Sequence, residues 1–165
     1  MSRAVLSLGS NLGDRLAHLQ SAVDGFGASV RAVSPVYETA PWGVTDQDDF
    51  LNAILLVEDP HTDEWGWLRR GRELENAAGR IRTLRWGPRT LDVDVVTVDG
   101  VLSAHPDLLL PHPGTPERAT VLAPWLDVEP DAVLPGRGPV AGLLAALSLD
   151  GVHRRDDLTL TPPRA

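Results

Sequence analysis

The run Leu91-Asp92-Val93-Asp94-Val95-Val96-Thr97-Val98 constrains this chain more than any other segment. Strand side chains alternate between faces, so it reads as a strand with Leu91, Val93 and Val95 on one side and Asp92 and Asp94 on the other. The apolar side requires a covering layer. The acidic side sets two like charges one pleat apart, in a residue type that strands disfavour. A hard divalent cation resolves that repulsion, because magnesium takes one or two carboxylates and completes its shell with water and phosphate oxygens. A solvated face with two stray acids is the simpler alternative, and the strand alone does not separate the two.

The sequence just before it does. Seven arginines (69, 70, 72, 80, 82, 85 and 89) stand there against Glu73 and Glu75, inside a chain of net charge −8. Arg69, Arg70 and Arg72 read as a solvated helix face. Arg80, Arg82, Arg85 and Arg89 fall in Gly79-Arg80-Ile81-Arg82-Thr83-Leu84-Arg85-Trp86-Gly87-Pro88-Arg89, too rich in turn formers to be helix throughout. Guanidiniums beside paired carboxylates suit a polyphosphate that develops charge on transfer. Trp86 offers a flat face for a ring, or simply a core side chain.

Absences narrow the chemistry further. All 15 basic residues are arginine, so lysine-dependent phosphate loops, Schiff bases and pyridoxal chemistry are excluded. No cysteine occurs, which removes disulfides, thiolate metal sites and cysteine nucleophiles. The acidic balance argues against nucleic-acid or anionic-membrane binding. No apolar run reaches membrane-spanning length and no signal segment is evident, so a cytoplasmic protein is expected.

The 165 residues suit one domain over 1–155, with 156–165 a loosely ordered tail. Ala4 to Leu8 reads as a buried strand and Leu12 to Phe26 as a helix starting near Asn11 or Asp14. Val30 to Thr39 reads as a strand bent at Pro35, followed by a Pro/Gly/Asp-rich loop carrying Trp42. Phe50 to Val57 is a strand, Thr62 to Ala78 a helix capped by Thr62 or Asp63, and Leu91 to Val98 a strand ending in the Asp99-Gly100 turn. Pro116 to Leu126 and Pro139 to Leu147 are expected to be short helices. That order suggests a two-layer α/β sandwich on a largely antiparallel sheet.

Read in full, Arg85-Trp86-Gly87-Pro88-Arg89-Thr90-Leu91-Asp92-Val93-Asp94 resembles the 6-hydroxymethyl-7,8-dihydropterin pyrophosphokinases of folate biosynthesis. The resemblance extends over roughly residues 4 to 147. It includes Leu8-Gly9-Ser10-Asn11-Leu12-Gly13, Tyr37-Glu38-Thr39-Ala40-Pro41-Trp42-Gly43, Phe50-Leu51-Asn52-Ala53 and Pro111-His112-Pro113. It implies a ferredoxin-like fold and transfer of the β,γ-diphosphate of ATP to the pterin hydroxymethyl group, leaving AMP. It implies two magnesium ions on Asp92 and Asp94, with Arg80 and Arg89 as the catalytic phosphate grip. Glu75, Arg82, Trp86, His112 and Arg118 would contact ATP, and Thr39, Trp42, Phe50 and Asn52 would hold the pterin. A monomer working on these two small molecules is expected. One departure stands out: the family's usual aromatic two residues after Arg118 is Thr120 here, which leaves that face of the ring to Trp42 or Trp86, or open.

Two other classes fit parts of the pattern. A non-catalytic ligand-binding domain on the same fold has no need of paired metal carboxylates. A nuclease or RNA-binding module is disfavoured by the net charge and by 5% aromatic content.

Overall fold

The computed structural model describes residues 2–40, 49–79 and 90–163. In chain order the elements are β1 (Ser2–Ser10), α1 (Arg15–Phe26), β2 (Val30–Val33), β3 (Tyr37–Thr39), β4 (Phe50–Asp59), α2 (Glu64–Ala77) and β5 (Asp92–Val98). After these come β6 (Ser103–His105), β7 (Leu108–Leu110), α3 (Ala119–Val128), β8 (Val133–Leu134), β9 (Gly138–Pro139), α4 (Val140–Ala145) and β10 (Val152–Arg154). The main sheet runs β10-β3-β4-β1-β5, with β2 also on β4, and each of its pairings is antiparallel.

Helix starts follow from local chemistry. Asp14 accepts a hydrogen bond from the Ala17 amide at 3.1 Å and so opens α1. Asp63 does the same for α2 through the Gly66 amide at 2.7 Å.

The sheet is covered on both faces. On one, Leu19, Val23 and Phe26 of α1 and Trp67 of α2 pack over Leu6, Leu8, Leu55, Val93 and Val95. On the other, Val121, Leu122 and Trp125 of α3 with Val140 of α4 cover Val5, Ile54 and Val96. This is the ferredoxin-like α/β arrangement, βαββαβ with the middle connection strand bent into β2 and β3. A partial third layer from α3 and α4 is added to the two expected. Among the described residues, the core under this added layer takes in Val5, Ile54 and Val96 but not Gly9, Asn52, Asp92 or Asp94.

Several details differ from the sequence reading. The helix expected from Pro116 is a short 3-10 turn (Thr115–Glu117) and then α3, separated by Arg118 in an extended conformation. The hairpin β6–β7, the small pair β8–β9 and the strand β10 were not legible, because each strand is only two or three residues long. Residues 156–163 are docked rather than loose. Leu160 is buried in the main core with Leu158 against it, and Gln20 both donates to the Thr161 carbonyl and accepts from its amide, each at 2.8 Å. Arg70 is not a solvated side chain either. Its guanidinium lies 4.9 Å from the Trp67 ring centroid and 5.2 Å from that of Phe26, and donates to the Phe26 carbonyl.

Among the described residues, no helix is long and apolar enough to cross a membrane.

Candidate active site

The described residues of the predicted site lie mainly on this second sheet face, outside the core that α3 and α4 cover. In antiparallel pairing, directly opposed residues share a face, and the register aligns Tyr37, Asn52, Gly9 and Asp92 in one row across four strands. One pleat further along, Ile54, Ser7 and Asp94 form the next row, and Thr39 opposes Phe50 on the near side. Asp92 and Asp94 therefore share a face with Phe50 and Asn52, while Val93 and Val95 enter the opposite core. The alternation of β5 predicts this split correctly.

Gly9 forms the floor between the two halves. A Cβ built there would lie 3.5 Å from Asn52 Oδ1 and 3.6 Å from Phe50 Cδ1, so any larger side chain would occupy the space above the row. At one end of the row, the Tyr37 hydroxyl donates to Asp127 at 2.6 Å, and burial together with that carboxylate pushes its pKa up to about 12. Tyr37 is thus a neutral anchor between β3 and α3.

Among the described residues, three buried side-chain atoms have no hydrogen-bond partner: Ser10 Oγ, Asn52 Nδ2 and Thr90 Oγ1. Native proteins rarely leave such atoms unpaired. All three lie at this same end of the sheet, at or beside the ends of β1, β4 and β5. The Asn52 amide is the one that belongs to the row.

A cavity of about 340 Å³ opens over the carboxylate half, lined by Arg72, Glu75, Asp92, Asp94, His112 and Arg118 among others. Glu75 comes from α2 and is 2% exposed; its Oε2 accepts the Val93 amide at 2.8 Å. This bond ties the backbone between the two aspartates to the helix. Arg72 joins Glu75 on one helix stripe with Leu68, so the sequence reading missed its place at the cavity. The spacing 68, 72, 75 was the available signal. The β6–β7 hairpin supplies a second wall through Asp107 and Leu109, which nothing in the sequence reading anticipated.

His112 follows β7 and bonds back to the outer edge of β5, its amide donating to the Val96 carbonyl at 2.8 Å. Its Nδ1 donates to the Pro113 carbonyl at 2.8 Å, and Nε2 lies 3.9 Å from Asp94 Oδ1. A carbonyl only accepts, so the neutral ring carries its hydrogen on Nδ1 and turns the Nε2 lone pair toward Asp94. Burial holds the imidazole below the ordinary histidine range. The Pro113 carbonyl and Asp92 oppose this, and the Arg118 charge adds to it.

Arg118 extends past Gly114, whose φ of +83° and missing side chain admit the guanidinium; a Cβ there would sit 3.5 Å from Arg118 Nε. The same arginine borders a second cavity of about 460 Å³, shared with Thr39, Thr120, Ser148 and Asp150. Thr120 thus opens onto the space beside Thr39.

The structure brings together Thr39, Phe50, Asn52, Glu75, Asp92, Asp94, His112 and Arg118 at this one end of the sheet. Trp42, Arg80, Arg82, Arg85, Trp86 and Arg89 lie outside the described residues. Among the described residues, no group of three or more His, Asp or Glu converges as a metal cage. Two carboxylates on one face are instead the donor set that suits a magnesium ion completed by water and phosphate.

Comparison with known proteins gives a consistent result. A family model described as 7,8-dihydro-6-hydroxymethylpterin-pyrophosphokinase (HPPK) matches residues 5–130. A 2-amino-4-hydroxy-6-hydroxymethyldihydropteridine pyrophosphokinase from Mycobacterium tuberculosis is 49% identical over 159 residues, covering 89% of this chain and 85% of that protein. One of the same name from Methylorubrum extorquens is 43% identical over 158 residues, covering 93% and 99%. Among solved structures, the wild-type HPPK-DHPS of Plasmodium falciparum with pteroate aligns with a TM-score of 0.69 at 13% identity, over 87% of this chain and 44% of that one. An HPPK-DHPS in complex with substrates gives 0.68 at 11% identity, over 88% and 43%. At such identities the likeness shows the fold alone, and this chain spans less than half the length of those solved chains.

Proposed function

This chain belongs to the 7,8-dihydro-6-hydroxymethylpterin-pyrophosphokinase family, and on that premise we propose that it moves the β,γ-diphosphate of ATP onto the hydroxymethyl group of 6-hydroxymethyl-7,8-dihydropterin. The pterin hydroxyl oxygen bonds to the β-phosphorus, the bridge between the α- and β-phosphates breaks, and AMP leaves. The hydroxyl proton passes to solvent or a phosphate oxygen. The products are AMP and the pterin diphosphate, a step of folate biosynthesis.

One observation carries this reading: an amide donor at Asn52 that has no partner among the described residues and a carboxylate pair at Asp92 and Asp94 share one sheet face, on either side of Gly9. Adjacent strands are about 4.8 Å apart, so Asn52 and Asp92 stand roughly 10 Å from each other. That span holds a bicyclic ring at one end and a diphosphate at the other.

The division of labour follows. Phe50 presents a ring face and Asn52 an amide to the pterin edge, with Thr39 and Trp42 completing that pocket. Asp92 and Asp94 hold magnesium, two ions being expected, which when bound neutralises and orients the triphosphate. Arg80 and Arg89 grip the transferring phosphates, with Arg82, Trp86 and Arg118 on ATP. Glu75 keeps β5 in place while bordering the nucleotide space. His112 presents Nε2 beside Asp94, and an arriving polyanion favours its protonated, donating form. Catalysis of this kind rests on positioning and charge rather than on a strong base.

The same reading makes the chain, with its docked 156–163 segment, one catalytic unit and the enzyme a cytoplasmic monomer, checked by limited proteolysis, sedimentation and fractionation. Calorimetry with a non-hydrolysable ATP analogue tests the nucleotide half. Binding that strengthens with magnesium and fails in Asp92→Ala supports it; magnesium-independent binding refutes it.

A further inference from the structure

Behind the pterin half of the site, on the opposite sheet face, a single guanidinium joins three parts of the fold. Arg15 Nη1 donates to Glu38 Oε2 at 2.7 Å and to the Asp49 carbonyl at 2.8 Å. Glu38 is the middle residue of β3, directly before Thr39, and Asp49 lies directly before Phe50 at the start of β4. Thr39 and Phe50 oppose each other across β3 and β4. Arg15 therefore closes the base of the β3–β4 connection from behind, one residue from each of the two pterin-pocket positions that begin and end it.

Two features show that this placement is not explained by the local elements. Arg15 is the first residue of α1, and that helix has no acid in its first turn. A cation at a helix N-terminus opposes the helix dipole, so the position is locally unfavourable and must be offset by what the side chain reaches. Glu38 is likewise a residue type that strands disfavour, yet it is half-buried and both of its oxygens are used. Oε1 accepts from Arg155 Nη1 at 3.0 Å, while Arg155 is held by Asp157 at 2.9 and 2.8 Å. Among the described residues, Arg155 bonds to Glu38, Asp157 and, through its amide, the Val36 carbonyl, and so does not bridge the two stems as Arg15 does.

We propose that Arg15 is a positioning residue for the pterin: by holding Glu38 and the Asp49 carbonyl on one guanidinium, it fixes the spacing of Thr39 and Phe50. This rests on the diphosphotransferase reading. Arg15 touches no substrate, because its contacts lie on the face turned away from Asn52 and Asp92. Its influence passes through the two stems alone, so it bears on the pterin and not on ATP.

The test is steady-state kinetics on the full chain with Arg15→Ala, Arg15→Lys and Arg155→Ala. Arg15→Ala removes both hydrogen bonds and is expected to raise the pterin KM about tenfold, with the ATP KM unchanged. Arg15→Lys, which keeps a cation with several donors, should recover most of that loss. Arg155→Ala should lower the melting temperature yet leave the pterin KM near wild type. Hydrogen exchange adds a readout that needs no turnover: amides of residues 37–39 and 49–51 should exchange faster in Arg15→Ala than in Arg155→Ala. If Arg15→Ala does not accumulate as folded protein, Arg15→Gln carries the same expectations. A pterin KM that stays at the wild-type value, or that rises in step with the ATP KM, overturns the clamp. Wild-type protein that forms no AMP overturns the diphosphotransferase reading instead, and the two failures are distinguishable.

Discussion

Asn52 and Asp92 oppose the same residue, Gly9, from its two sides, so an amide and a carboxylate stand on one sheet face with only a glycine between them. Neither is placed by a long loop. Both sit on strands that β1 holds in register, which fixes their separation more tightly than loop-borne groups would allow.

The unpaired Asn52 amide makes a prediction in which stability and binding part company. Asn52→Ala removes a buried donor that has no partner among the described residues, so its melting temperature should stay within the range of a neutral substitution, about 0.5 kcal/mol. Pterin affinity should fall by roughly tenfold or more as the hydrogen bond to the ring is lost. Titration of the pterin by calorimetry alongside thermal melts checks both. Equal losses of stability and affinity would mean the amide is structural.

Asp94→Ala should cut turnover by roughly a hundredfold or more, because charge neutralisation of the transferring phosphates is the main catalytic resource here. Asp94 lies on the open face, so far-UV dichroism should not change. The assay is AMP release at saturating ATP and pterin; near wild-type turnover would remove the metal assignment.

Gly71→Ala sets two known effects against each other. Alanine in place of glycine favours a helix by about 1 kcal/mol. Here the added Cβ would lie 2.9 Å from Val93 Cγ1, where α2 packs directly on β5. Overpacking of this kind costs typically 1–3 kcal/mol, so net destabilisation is expected. Because Glu75 holds the Val93 amide, the displacement should also lower activity. Denaturant unfolding and the AMP assay measure the pair; a stabilised, fully active variant would contradict the packing.

Acid stability should depend on Glu38. Burial pushes its carboxyl up, but Arg15 and Arg155 outweigh this and hold it below the usual glutamate range. A depressed folded pKa stabilises above the unfolded value of about 4.3, and that contribution fades as pH falls through the folded value. Melting temperatures of wild type and Glu38→Gln should therefore differ at neutral pH and converge in acid. A gap that stays constant as the pH is lowered until the protein unfolds would contradict the ion-pair network.

Much of this was legible in the chain because period-2 alternation is a strong signal. The strand read at 91–98 and the carboxylate face of β5 follow from it; those read at 4–8 and 50–57 follow from apolar runs and prove a few residues longer, and the bend follows from Pro35. Arg118 was misplaced into a helix because Pro116 is an apt helix start, and nothing local marks the extended residue that follows the 3-10 turn. Arg70 looked solvated because two of its hydrogen-bond partners, Phe26 and Ser29, are more than forty residues away in sequence. The docking of Leu160 depends on the same kind of distant contact. Arg15 was invisible for a related reason: its meaning lies in three segments that only the folded sheet brings together.

The most direct test is product analysis after incubating the chain with ATP, magnesium and 6-hydroxymethyl-7,8-dihydropterin. The predicted result is one AMP formed for each pterin consumed, with no AMP when the pterin is omitted. ADP as the nucleotide product, or AMP formed without pterin, would contradict diphosphate transfer.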